Sequence, residues 1–252
     1  MNERGEISIP PPPPPPPPGA ANGGEPEIEP AAGWSGGRAL FGLVVLLVIV
    51  IFSAGIVEAI DPGIDSLAAR LALQLLLAGA MIGVAFAIAN PAGDGLVPPA
   101  ALGLRRPLGR VVQPTVLAYL AYIGCALLIA ALLEPEQEDV TRELGVDEGA
   151  FGAIVAGVLI IGAAPLSEEV FFRGFLFAGL RRSGGFWLGA LVSSAIWGLF
   201  HYTGPDSWAV CLQLALFGLA LCWLYERTGS IWPTIAVHAF NNALAFTLLT
   251  SS

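Results

Sequence analysis

IVAGVLIIGAAPLSEEVFFRGFLFAGLRR, residues 154–182, is an apolar run of membrane-spanning length that carries Glu168, Glu169 and Arg173 in its interior. About 20 apolar residues cross the hydrocarbon core, and a charge near its centre costs several kcal/mol. A segment that keeps three such charges must pair them, wet them in a cavity, or use them in chemistry.

The surrounding sequence has the same character. Of 252 residues, 55% are hydrophobic and 12% charged, with a mean hydropathy of +0.73. These values lie outside the range of soluble domains and predict an all-α, polytopic transmembrane helical bundle. The net charge of −9 comes largely from the first residues and the loop EPEQEDVTRELGVDEGA. With no basic stripe, no nucleic-acid partner is expected. Cys125, Cys211 and Cys222 lie in apolar runs without a CxxC pair and read as small hydrophobes.

Residues 1–37 read as a disordered, Pro-rich tail. MNERGEISIP has no secretory character, Pro10 to Pro18 form a polyproline II rod, and the residues up to Gly37 offer nothing that packs. Residues 38–252 form the membrane domain. Its apolar runs predict about seven spans: Ala39 to Ile60, Ser66 to Asn90, Val111 to Leu133, Ala150 to Leu180, Phe186 to Tyr202, Ser207 to Tyr225 and Ile231 to Leu249. Pro165 predicts a kink or break just before the glutamates. With these spans Arg4, Arg38, Arg105, Arg106, Arg110, Arg181, Arg182 and Arg227 fall on one side, which the positive-inside rule makes cytoplasmic, with the C-terminus outside.

The polar groups left inside the hydrocarbon include Glu168, Glu169, Arg173, His201, His238, Asn241 and Asn242. Clustered on the inner faces of a bundle, they can satisfy one another and bind water. Adjacent residues on a helix point about 100° apart, so Glu168 and Glu169 are expected to face different partners. Glu169 precedes Arg173 by four residues, the favourable order for an ion pair, which leaves Glu168 free for proton transfer. VHAFNN puts His238 and Asn242 one turn apart on one face, where two side-chain donors can form an oxyanion hole. The same residues read as ion pairs and interhelical hydrogen bonds would serve only to hold helices together.

EExxxR (Glu168 to Arg173), an aromatic residue four before a histidine (Trp197, His201) and HxxxN (His238 to Asn242) follow one another in apolar helices. In this order they resemble the CAAX protease and bacteriocin-processing family of intramembrane endopeptidases, also called ABI or CPBP. The resemblance covers about 154–246. It departs at Trp197, where the family's second element often has Phe. It implies that Glu168 and His201 activate water, that His238 and Asn242 stabilise the oxyanion, and that Glu169 and Arg173 brace the site. The expected activity is hydrolysis of a peptide bond in a membrane-associated protein or peptide, as in processing of a C-terminal tail, sorting signal or leader.

No cofactor is expected. The alternative is a zinc site made of Glu168, His201 and His238, disfavoured because neither histidine lies in HExxH and Asn242 suits an oxyanion better than zinc. A non-proteolytic scaffold or immunity protein is the other alternative. The expected partners are membrane lipids and a peptide or membrane-anchored substrate. The arginine-only, Ala- and Gly-rich composition points to a bacterial inner membrane.

Overall fold

The computed structural model describes residues 33–90, 95–133 and 144–251. The expected proline rod, Arg4, and residues 134–143 of the acidic loop, Arg142 among them, lie outside these residues. All regular structure among the described residues is helical. Helix α1 is Gly36–Ile60, α2 is Leu67–Ile88 and α3 is Val112–Leu133. Helix α4 runs over 150–184 and α5 over 186–199, followed by α6, Trp208–Thr228, and α7, Trp232–Ser251. Serines start the first two: Ser35 Oγ accepts from Arg38 N and Ser66 Oγ from Ala69 N, meeting donors that a helix start leaves unpaired.

The expected break at Pro165 is absent. Pro165 sits at the start of a short α-helical stretch, Ala164–Glu168, in continuous helical backbone. The turn before it, Val158–Ala163, is π-helical. That widened turn gives the ring room where a tight one would clash. The break comes instead at Gly185, whose φ of 78° and ψ of 177° separate α4 from α5. A side chain there would be strained, which suits glycine to the position.

Five helices are long and apolar enough to cross a membrane, against the seven expected spans. Two features make the difference. The expected fourth and fifth spans form one helical stretch, Ala150–Leu199, turned at Gly185. Helix α7 is 20 residues long, but His238, Asn241 and Asn242 dilute its apolarity. Phe41, Phe52, Leu120 and Leu132 are each more than half exposed, the outward face that lipid replaces water in covering.

Packing puts the middle of α4 at the centre of the bundle. All nine residues of a second π-helical stretch, Glu169–Phe177, are buried. The segment linking α2 and α3 straps one end. Leu102 is fully buried, and Gly174 approaches its carbonyl so closely that a Cβ would lie 2.4 Å from the oxygen. Further along the strap, Leu108 N donates to Thr228 O at 2.8 Å and Arg105 Nε to Gly229 O at 2.7 Å. Ile231 N donates to Gly103 O at 2.9 Å, so the α6–α7 turn is pinned. Arg38 donates to Asn90 O, and Arg181 pairs with Glu226. These bonds gather Arg38, Arg105 and Arg181, from three parts of the chain, at the same end of the bundle.

The boundary expected at residue 37 falls inside the folded part. Trp34 is 2% exposed, stacks on Phe175 at 5.7 Å between centroids, and donates its indole N–H to Phe175 O at 2.9 Å. Gly36 N donates to Ser183 Oγ at 2.8 Å. Residues assigned to the tail by composition thus anchor α1 to the end of α4.

Candidate active site

The charged residues of α4 meet the histidine of α7 in the bundle interior. Glu169 and Arg173, one turn apart, form an ion pair with Oε1 2.9 Å from Nη1, at 0% and 1% side-chain exposure. A pair so buried holds only with further partners for each charge. The guanidinium lies over the Trp197 ring, 4.4 Å from its centroid, a favourable cation–π contact. Glu169 Oε1 also takes a hydrogen bond from His238 Nδ1 at 2.9 Å. A carboxylate paired with arginine only accepts, so Nδ1 carries the proton and Nε2 faces the other way.

His238 Nε2 lies 4.0 Å from Oε2 of Glu168. The two glutamates therefore do share a partner, contrary to the expectation from helical angles. The reason is the shape of imidazole. Its two nitrogens look in different directions, and two diverging carboxylates reach one ring from its two sides. Nor is Glu168 free: Trp197 Nε1–H donates to its Oε2 at 2.6 Å.

Trp197 is 1% exposed on α5. Its ring centroid is 5.3 Å from those of both His201 and His238, at 79° and 80° between planes. His201 Nδ1 donates to Trp197 O at 3.0 Å. Since a carbonyl only accepts, Nε2 is the nitrogen of His201 left for other work. His201 thus joins the cluster through Trp197, with no ion pair to Glu168 among the described residues.

Asn242 lies one turn beyond His238 and donates Nδ2 to Ile160 O at 2.9 Å. Ile160 belongs to the first π-helical stretch, and an amide nitrogen has two hydrogens, so one remains for a second acceptor. The structure therefore brings Glu168, Glu169, Arg173 and His238 into direct contact. It sets His201 beside Trp197, and Asn242 against the helix that bears the glutamates.

Among the described residues no three His, Cys, Asp or Glu side chains converge as metal ligands. His238 Nδ1 is engaged by Glu169 and His201 Nδ1 by a backbone carbonyl. That leaves Nε2 of each histidine as the nitrogen a metal would use, but Glu168, His201 and His238 do not converge as a ligand group among the described residues, and no step is assigned to zinc. Of the cysteines, Cys211 and Cys222 are buried while Cys125 is exposed.

The sequence alone did not mark the indole N–H of Trp197 as a partner of Glu168, although its place four residues before His201 put it on the same helix face. Trp34 was also missed. A lone tryptophan in a Gly- and Ala-rich stretch was the available signal.

Residues 150–244 match the family described as Type II CAAX prenyl endopeptidase Rce1-like. A relative in Bacillus subtilis (strain 168), named "Putative membrane peptidase YdiL", is 35% identical over 78 residues, 31% of this chain and 30% of its own length. "Uncharacterized protein YyaK" of the same organism is 23% identical over 190 residues, 72% of this chain and 60% of its own. The chain thus matches less than two thirds of either relative. No solved structure matches. The stretch similar to the Rce1-like family holds both glutamates, both histidines and Asn242.

Proposed function

We propose that this membrane protein is an intramembrane endopeptidase that hydrolyses a peptide bond in a membrane-associated protein or peptide. The observation that carries the reading is Glu168. It is a carboxylate in an apolar interior, 15% exposed at the side chain, with His238 Nε2 at 4.0 Å and Trp197 Nε1 at 2.6 Å. A carboxylate held there is placed to act on a water molecule.

In this reading Glu168 takes a proton as the water oxygen bonds to the scissile carbonyl carbon, with His201 Nε2 orienting the water. The carbonyl electrons move onto oxygen, where the free hydrogen of Asn242 Nδ2 donates, joined by Nε2–H of His238 in its doubly protonated form, since Nδ1–H is already given to Glu169. Collapse of the tetrahedral intermediate expels the amine, which receives the proton from Glu168. Glu169 and Arg173 hold His238 and the helix register. The substrate class is a C-terminal tail, sorting signal or leader, and the protein sits in a bacterial inner membrane with the arginine-rich end in the cytoplasm.

The test is cleavage of a quenched-peptide panel by detergent-solubilised protein, wild type beside Glu168→Gln, with and without a zinc chelator. Cleavage lost in the variant and indifferent to chelator is expected. Cleavage restored by zinc after chelation, with one metal bound per chain, would transfer the chemistry to a metal. Cleavage retained by Glu168→Gln would remove the glutamate from the reaction.

A further inference from the structure

Trp197 touches Glu168, Arg173 and both histidines. It donates to Glu168 Oε2 at 2.6 Å, carries Arg173 at 4.4 Å over its ring, and stands edge-on between His201 and His238, 5.3 Å from each. Where the resembled family often has Phe, this chain has a ring of the same character with one added group, an N–H. That group points at the carboxylate assigned to the water.

We infer that Trp197 is a positioning residue that fixes which oxygen of Glu168 takes the proton, an inference that rests on the proposed role of Glu168. Indole N–H donates and never accepts. It therefore favours whichever state of Glu168 offers it the stronger acceptor. In the carboxylate both oxygens qualify. In the protonated acid the carbonyl oxygen is the better acceptor, so Oε2 stays the carbonyl oxygen and the proton taken from water resides on Oε1. The N–H also restrains the carboxyl group against rotation, in an interior where a bond to a charged acceptor is short and strong. Arg173 over the ring face polarises the indole and strengthens its donor. Phenylalanine would keep the edge-on contacts to the histidines and lose this restraint.

Two variants separate the N–H from the packing. Trp197→Phe removes it with part of the ring, and 3-benzothienylalanine at position 197 removes it while keeping the two-ring shape. The first readout needs no substrate. In protein labelled with ¹⁵N-tryptophan in micelles, the Trp197 indole resonance, assigned by its loss in Trp197→Phe, should move upfield in Glu168→Ala while the other five tryptophans hold. The second uses a peptide that the wild type cleaves. Both variants should lose about ten- to a hundredfold in kcat, with KM within about twofold, as expected of a group acting only on the chemical step.

A Trp197 resonance indifferent to Glu168→Ala would overturn the inference whatever the activity. Wild-type kcat in the benzothienyl variant would overturn it too, as would a fall in kcat matched by rising KM and falling thermal stability, the pattern of lost packing. Cleavage retained by Glu168→Gln would instead overturn the catalytic reading of Glu168, while the resonance still reported the bond.

Discussion

The two halves of the chain meet the bilayer in different ways. In the most apolar windows of α1, α2 and α3, 11%, 17% and 17% of the residues are buried inside the protein, against 33% for Ala150–Leu199 and 39% for Pro205–Thr228. The first three helices spend their apolar residues on lipid. The later ones turn more of theirs inward, and the buried Glu169–Arg173 pair lies there. Lipid asks for apolarity alone, whereas an interior asks for shape, so substitutions should be tolerated in the first half and costly in the second.

The largest effect tests whether the interior exists for chemistry. Glu168→Gln should lower kcat by about 10²- to 10⁴-fold with little change in the thermal midpoint in detergent. Next is Arg173→Leu, which strands a buried carboxylate and should cost about 3–5 kcal/mol. Glu169→Leu with Arg173→Leu should recover most of that stability in thermal unfolding while staying inactive. If the single variant proved as stable as the double, the buried pair would not be what organises this half.

Two smaller effects lie where the halves touch. Gly174→Ala drives a Cβ to 2.4 Å from Leu102 O, so the strap must shift, at about 1–3 kcal/mol. Trp34→Phe leaves Phe175 O without its indole donor and should cost about 1 kcal/mol. The smallest expected effect is on the lipid face. Phe52, 70% exposed, should accept Leu within about 0.5 kcal/mol. A large loss there would show that the outer face of α1 packs against protein.

Much of this was legible because it is written in helical spacing. Glu169 and Arg173 pair as i, i+4 residues do, and His238 and Asn242 share a face for the same reason. The apolar runs located every helix to within a few residues. What spacing could not supply was the third dimension. Two diverging glutamates find one imidazole because α7 sets His238 against α4 with one ring nitrogen toward each. Trp197 meets Glu168 because α5 folds back at Gly185, and no pattern within α4 announces that. Pro165 misled for a local reason: its effect depends on the width of the turn before it, and sequence does not show a π-helical turn. Trp34 escaped because composition averages a single anchor into its surroundings.

The π-helical stretch Glu169–Phe177 has a consequence for how relatives line up with this chain. A turn closed over five residues is a turn closed over four with one residue inserted. Deleting one residue between Glu169 and Phe177 would restore an ordinary helix with its hydrogen bonds intact. Because the widened turn already absorbs the extra residue, the turns on either side would keep about their present phase. A relative without this widened turn differs from this chain by a one-residue gap inside an unbroken helix, a place where gaps are ordinarily forbidden. Alignments that refuse it will be one residue out of register on one side of the stretch.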